Sequence, residues 1–146
     1  MLDVRKKNFY PKGRNSDESD ISDIKDLIKH LPIKRDLLIE YLHIIQDKYN
    51  QIRKKHLGAL ASILKIPMAE AFEVATFYAH FDVIEDDEDD LPPTTIRVCD
   101  SLTCDLYGAN KLIGELKSNL DPQKVRVVRA PCMGLCDKAP ACEVGH

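Results

Sequence analysis

The stretch VRVVRAPCMGLC, residues 125–136, decides the fold, because a β-branched run passes directly into a loop that holds two cysteines. The run VRVV predicts a short strand. The segment TTIRV, residues 94–98, is of the same kind and is followed by Cys99 and Cys104. Between the two predicted strands, apolar residues recur at helical spacing across residues 112–120. The order strand, helix, strand predicts a small α/β sheet.

Four of the five cysteines form two pairs, and each pair comes just after a predicted strand. Cys99 and Cys104 follow the first strand, and Cys132 and Cys136 follow the second. Loops at the carboxyl ends of neighbouring strands in a β/α/β unit lie on the same edge of the sheet. We therefore expect the four thiols to converge on one point. Gly134 lets the backbone turn with unusual dihedral angles and approach a sulfur closely.

The surroundings of these cysteines suit thiolates, the form that binds a metal or a cluster. A helix is predicted to begin near Asp105, and the positive end of its dipole would favour thiolates in the first pair. Pro131 and Pro140 are expected to stiffen the two ends of the second loop. The loop is therefore expected to be formed before anything binds to it.

Spacing alone leaves zinc and a 2Fe-2S cluster as equal alternatives. A closed zinc site of four cysteines tolerates gaps of this size, and 2Fe-2S proteins also use four thiolates with a four-residue first gap. A thiol-disulfide switch is disfavoured, since neither pair has the two-residue gap of thioredoxin-type motifs. Cys142, the fifth cysteine, is expected to be a small buried hydrophobic residue and not a ligand.

Composition excludes several classes of function. The chain has 146 residues and 44% hydrophobic content, enough for a packed core, and its net charge of -3 gives no basic surface for nucleic acid. The sequence shows neither an export signal nor a transmembrane run, so we expect a cytoplasmic protein, where five cysteines do not indicate a disulfide framework. No glycine-rich phosphate loop for NAD or flavin is present, and no nucleophile and base pair stands out.

The chain is expected to have four parts. Residues 1–19 are polar and contain Pro and Gly, which predicts a flexible leader. Residues 20–84 predict a small bundle of three or four helices, with a continuous helical pattern over residues 21–62. Residues 85–93 combine six consecutive carboxylates with two prolines and predict a solvated linker rather than a cation site. Residues 94–146 form the α/β domain.

The last helix of the bundle is predicted to begin at Pro67, which is well placed in a first turn, and to run through residues 68–81. It carries Phe77, Tyr78 and Phe81. These aromatic residues are a candidate contact for a partner, but packing in the core explains them at least equally well.

Two regions of the chain resemble a known family. The helical stretch LGALASILKIPMAEAFEVATFYAHF, with its VATFY core, and the CxxxxC and CxxxC pairs, including CDKAP, resemble the thioredoxin-like 2Fe-2S ferredoxins. These proteins form the small subunit of the NADH-oxidising module of respiratory complex I and related parts of NAD-linked hydrogenases and formate dehydrogenases. The resemblance implies a helical bundle followed by a thioredoxin-like α/β domain, in which Cys99, Cys104, Cys132 and Cys136 ligate one 2Fe-2S cluster.

The resemblance also implies a partner and a role. FMN and NAD are expected on a flavoprotein subunit or fused domain of a larger dehydrogenase, so this chain would be a non-catalytic electron-transfer component. The short stretch between the cysteine pairs and the motif RVCDSLTC favour a soluble NAD-dependent formate dehydrogenase, with complex I or an NAD-linked hydrogenase as the alternative. Because the chain stops at His146, the thioredoxin-like domain is expected to be incomplete at its C-terminal end.

Overall fold

The structure is a computed structural model that describes residues 16–145. It divides into two compact units, with the boundary between Glu88 and Asp89. We call them the helical unit and the cysteine unit and describe each by itself. Most of the predicted leader lies outside the described residues, and the first helix begins at Glu18, just inside the predicted leader.

The described part of the helical unit contains four α-helices. They are α1 (Glu18–Ile28), α2 (Leu38–Tyr49), α3 (Lys54–Leu64) and α4 (Met68–Phe77), with a 3-10 turn at Arg35–Leu37 before α2. The helical pattern over residues 21–62 is therefore broken twice, between α1 and α2 and between α2 and α3. After α2 and after α3 the chain turns through a left-handed residue, Asn50 with φ 58° and Lys65 with φ 55°, a common way to end a helix.

The core of the helical unit is apolar and comes from all four helices. Its fully buried side chains include Ile24, Ile28, Tyr41, Leu42, Ile45, Leu57, Leu60, Ala71 and Ala75. The Tyr41 hydroxyl is satisfied by donating to the Pro32 carbonyl and accepting from the Lys34 N-H at 3.1 Å. Apolar burial therefore holds this unit together, and the hydroxyl of its buried tyrosine is paired.

Helix α4 ends at Phe77 and not at Phe81, so the predicted end of this helix is wrong. The Asp82 backbone explains the difference: its N-H donates to the Gln46 side chain at 3.1 Å, and its carbonyl accepts from Ile52 N-H at 2.8 Å. These bonds draw the chain away from the helix axis. Of the three aromatic residues, Phe81 is buried, whereas Phe77 is 79% exposed and Tyr78 42% exposed.

The segment after α4 forms a two-stranded parallel pair that the sequence pattern did not predict. Strand β1 (Ile52–Arg53) precedes α3 and pairs with β2 (Val83–Ile84). Two residues are too few for an alternating pattern to show. The Arg53 guanidinium then binds the carbonyls of Glu85, Asp86 and Glu88 at 2.9, 3.0 and 3.0 Å. The first part of the acidic stretch therefore lies against the start of α3.

The cysteine unit is a three-stranded sheet with helices on the connection between its parallel strands. Its elements are β3 (Thr94–Cys99), α5 (Leu102–Leu106), α6 (Ala109–Asn119), β4 (Val125–Ala130) and β5 (Cys142–Val144), with a 3-10 turn at Cys136–Lys138. The central strand β3 pairs in parallel with β4 and antiparallel with β5. The predicted strand, helix and strand are confirmed, and β5 is an element that the sequence did not predict.

The core of the cysteine unit lies between the sheet and α6. Ile96 and Val98 of β3 and Val127 of β4 pack with Ala109 and Ile113 of α6. Among the described residues, no helix of either unit is long and apolar enough to cross a membrane.

Candidate metal centre

The first cysteine pair is built into regular structure. Cys99 is the last residue of β3 and Cys104 lies inside α5, and their exposed fractions are 1% and 2%. The helix predicted to begin near Asp105 in fact begins at Leu102, with Ser101 as its N-cap residue. The start of the helix therefore lies beside Cys99, three residues earlier than predicted.

The second pair lies in the loop after β4, and both of its thiols are exposed. Cys132 follows two residues after the end of β4, and Cys136 begins the 3-10 turn. Their Sγ atoms are 3.9 Å apart. Between them Gly134 has φ +77°, and its N-H donates to the Cys132 Sγ at 3.4 Å. Both properties expected of Gly134, an unusual backbone conformation and a close approach to sulfur, are present.

The parallel pairing of β3 and β4 brings the two pairs to one edge of the sheet. Cys99 lies opposite Ala130 in the register, so both loops leave the sheet at the same level. The Met133 N-H, from the loop after β4, donates to Cys99 at the end of β3. In the other direction, Thr103 donates its side-chain hydrogen bond to Cys136. The loops therefore share hydrogen bonds across the site.

Hydrogen bonds, burial and neighbouring sulfurs shift the pKa values of three of these thiols. The pKa of Cys99 is lowered, first by the hydrogen bond that the Ser101 N-H donates to it. Hydrogen bonds from Cys104 and Met133 act in the same direction, whereas burial acts in the opposite one. The Ala141 N-H lowers the pKa of Cys104, but burial and the nearby Cys99 and Cys132 outweigh it, so that the Cys104 pKa is raised.

The pKa of Cys136 is also raised, first by its hydrogen bond with Cys132 and by the charge of that thiolate. A thiolate formed at one sulfur therefore opposes ionisation at its neighbours. Bound cations remove this opposition, because they neutralise the charge that the thiolates share.

The geometry of the second pair fits a metal ligand pair. Two sulfurs at about 2.3 Å from one tetrahedral metal lie about 3.8 Å apart, and the Cys132 and Cys136 Sγ atoms are 3.9 Å apart. In residues 16–145, no group of three or more His, Cys, Asp or Glu side chains is placed so that it could hold one metal ion. The described arrangement is one of two cysteine pairs side by side, the first held by β3 and α5 and the second by the loop after β4.

Cys142 is exposed, so the expectation that it packs in the core is wrong. It lies opposite Val98 on β5, which pairs with β3 at one edge of the three-stranded sheet. The buried neighbour is instead Ala141, which is 7% exposed and whose carbonyl accepts from the Cys99 N-H at 3.0 Å. No local signal distinguishes these two adjacent small residues, because β5 itself could not be predicted.

Comparison with known proteins identifies the class. The model of the thioredoxin-like 2Fe-2S ferredoxin family matches residues 24–146. The chain belongs to this family, as the resemblance of its motifs predicted, and the combination of helical unit and small α/β sheet agrees with the family's fold.

Its relatives indicate a narrower group. The chain is similar to an NADH-quinone oxidoreductase subunit of Aquifex aeolicus, with 33% identity over 80% of this chain and 75% of the relative. The protein of the same name from Buchnera aphidicola is 31% identical over 81% of this chain and 71% of the relative. The protein of that name from Pseudomonas aeruginosa is 29% identical over 85% of this chain and 76% of the relative.

These names do not support the prediction of a formate dehydrogenase component, and they favour the alternative from complex I. The prediction used the short stretch between the cysteine pairs. In the structure that stretch holds α6 and β4 with their turns, between Cys104 and Cys132. The stretch is therefore part of the folded core of this unit, with one helix and one strand.

Proposed function

We propose that this chain carries one 2Fe-2S cluster on Cys99, Cys104, Cys132 and Cys136 and exchanges single electrons with the FMN of an NADH-oxidising flavoprotein partner. The parent enzyme would be of the NADH-quinone oxidoreductase type, the name that its relatives carry. The single observation that carries the proposal is the meeting of two cysteine pairs at one sheet edge in a chain of the 2Fe-2S ferredoxin family.

The two pairs have different tasks in this proposal. Cys99 and Cys104 are buried in regular elements and hold their side of the site rigid. Cys132 and Cys136 are presented on an exposed loop and form the side that faces outward. When bound, a 2Fe-2S cluster supplies one-electron exchange between Fe(III) and Fe(II).

Backbone N-H groups donate hydrogen bonds to the cysteine sulfurs and stabilise the negative charge of the thiolates. The Ser101 and Met133 N-H groups donate to Cys99, the Ala141 N-H donates to Cys104, and the Gly134 N-H donates to Cys132. Hydrogen bonds to sulfur disperse negative charge, so they favour the reduced state and help to set the reduction potential.

The partner is inferred from the division of chemistry. NADH gives up two electrons as a hydride, whereas a 2Fe-2S cluster accepts one electron at a time, so a flavin must stand between them. This chain shows no glycine-rich loop for a nucleotide in its sequence. The flavin and the nicotinamide site are therefore assigned to the partner.

Reduction of the complex by different donors tests this proposal. In a complex of this chain with its flavoprotein, NADH should bleach the visible absorption of the cluster and formate should not. Bleaching by formate would restore the formate dehydrogenase hypothesis. A cluster that dithionite reduces but that NADH leaves oxidised in the complex would contradict the flavin partner.

Zinc is the alternative of another class, a structural Zn(Cys)4 interaction module. Both cysteine gaps and the 3.9 Å sulfur separation are compatible with it. Membership of a 2Fe-2S ferredoxin family favours iron.

A further inference from the structure

A group of large apolar side chains is exposed beside the outward-facing cysteines. Leu102 and Leu106 of α5 are 77% and 76% exposed, the adjacent Tyr107 is 69% exposed, and Leu135 of the second loop is 46% exposed. We call these four residues the α5 patch. Exposed apolar residues that gather in one place mark interaction sites more often than scattered ones do.

The α5 patch lies beside the exposed half of the site. Leu102 and Leu106 are four residues apart and so lie on one face of α5. Viewed down the helix axis, Thr103 lies between the two leucines and Tyr107. The Thr103 side chain donates a hydrogen bond to Cys136. Leu135 directly precedes Cys136 in the chain. The patch is therefore continuous with the cysteine pair.

Several polar and charged groups near α5 are bonded to one another within the cysteine unit. Asp105 of α5 accepts from the Asn110 amide, and the Asn110 oxygen accepts from the Arg129 guanidinium at 2.6 Å. Arg129 also forms an ion pair with Asp100 at 3.5 Å. The four side chains of the patch itself are uncharged, and large apolar and aromatic side chains of this kind are typical of the centre of a protein interface.

The burial of the four cysteines restricts where an electron can enter. Cys99 and Cys104 are 1% and 2% exposed, whereas Cys132 and Cys136 are both exposed. Electron transfer weakens steeply with distance, so a redox partner must approach the exposed pair. A second copy of this chain on the patch would cover that pair and block the entry. The patch therefore suits a redox partner rather than a homodimer.

We propose that the α5 patch is the surface on which the flavin-bearing partner docks. This inference rests on the proposed function and adds the face of the protein that the partner covers. Four exposed apolar side chains make a small contact, of the kind found in electron-transfer complexes. Docking on this patch places the flavin of the partner next to Cys132 and Cys136 and removes water from the exposed sulfurs.

The test uses the double variant Leu102→Ser, Leu106→Ser and the flavoprotein partner from the same organism. We expect the variant to keep the visible spectrum and the rate of reduction by dithionite. Its affinity for the FMN-containing partner should fall at least tenfold, and the rate of cluster reduction by NADH should fall with it. Ile33→Ser is the matched control, because Ile33 is a 59% exposed apolar residue of the helical unit.

Several outcomes would overturn the proposal. Unchanged affinity in the double variant would do so, as would equal losses in the double variant and in the Ile33→Ser control. A wild-type dimer that the double variant converts to a monomer in sedimentation would show that a second copy covers the patch. If the double variant loses its cluster, the single variant Tyr107→Ser decides by the same measurements. A wild-type protein without a cluster would instead contradict the proposed function.

Discussion

The two units of this protein differ in what fills their cores. The helical unit has an apolar core from four helices, including fully buried Leu42, Ile45 and Leu60. The cysteine unit has a smaller core between its sheet and α6, and Cys99 and Cys104 are members of it. Two of the four proposed ligands, Cys99 and Cys104, are thus packing residues of the second unit, whereas the core of the first unit contains none of the cysteines.

This difference leads to different expectations for folding. A site whose ligands are also core residues couples binding to folding, because metal binding energy is then folding energy. The cysteine unit should therefore depend on its cluster, and the helical unit should fold without it. The predictions below separate the two units, beginning with the largest effect.

Removing a ligand from the second pair should have the largest effect. We expect Cys132→Ser to abolish the visible spectrum and to remove hydrogen-exchange protection from amides in β3, β4 and α6, while α2 and α3 stay protected. Cys142→Ser is the control and should keep both spectrum and protection, because Cys142 is exposed and outside the pairs. Loss of the cluster in the Cys142 variant would mean that the fourth ligand has been assigned wrongly.

A cavity made by a core substitution in the helical unit should destabilise that unit and leave the cluster in place, the reverse of the effect of Cys132→Ser. Leu60 is 0% exposed in α3, and replacing it by alanine should lower the free energy of unfolding of this unit by about 2 to 5 kcal/mol. Urea unfolding followed by circular dichroism measures this change. The visible spectrum should persist at urea concentrations that unfold the helices. Parallel loss of both signals would show that the two units unfold as one and would break the distinction between them.

Acid should weaken the helical unit through His56. This side chain is 7% exposed, stacks on Tyr49 with ring centroids 4.5 Å apart, and accepts the Arg53 N-H at its Nδ1 at 3.3 Å. Burial, then the charge of Lys55, lowers its pKa from 6.5 to about 4. Protonation of Nδ1 would remove the acceptor that caps α3.

The sign of this pH effect follows from proton binding. Between pH 6.5 and about 4 the unfolded chain binds a proton at His56 that the folded chain does not. Stability is therefore complete above pH 6.5 and falls as the pH decreases through this window, by at most about 3 kcal/mol. Unfolding titrations of wild type and His56→Gln measure it. A wild-type slope as flat as that of the variant in this window would contradict the assignment to His56.

The smallest effect is expected at Gly134. Alanine at φ +77° should cost about 1 kcal/mol of backbone strain, although a Cβ atom would meet nothing within 4 Å. We expect Gly134→Ala to form the cluster but to lose it faster to a chelator. Gly114→Ala in α6 is the control, with the same open surroundings and no positive φ, and should leave the rate unchanged. Equal rates in both variants would show that the loop tolerates the strain.

The sequence predicted the parts of the fold that have a local signal. β-branched runs marked β3 and β4, and cysteines at their ends marked the edge of the sheet where the pairs meet. Strand β5 has three residues and depends on pairing with β3, so neither the strand nor the exposure of Cys142 could be read from the chain. The contacts of Arg53 with the acidic stretch join residues about thirty positions apart and leave no periodic pattern.

The α5 patch was also missed, for a related reason. Leu102, Leu106 and Tyr107 have the composition of a buried helix face, and only their exposed fractions show that they face outward. The sequence instead offers Phe77, Tyr78 and Phe81 as a candidate contact, with core packing at least as good an explanation. Phe81 belongs to the core, whereas Phe77 and Tyr78 are exposed.

Metal and sulfide analysis combined with electron paramagnetic resonance tests the central claim most directly. The account predicts two irons and two acid-labile sulfides per chain, with a paramagnetic signal that appears after dithionite reduction as the visible colour bleaches. A colourless protein with one zinc per chain and no signal after dithionite would contradict it.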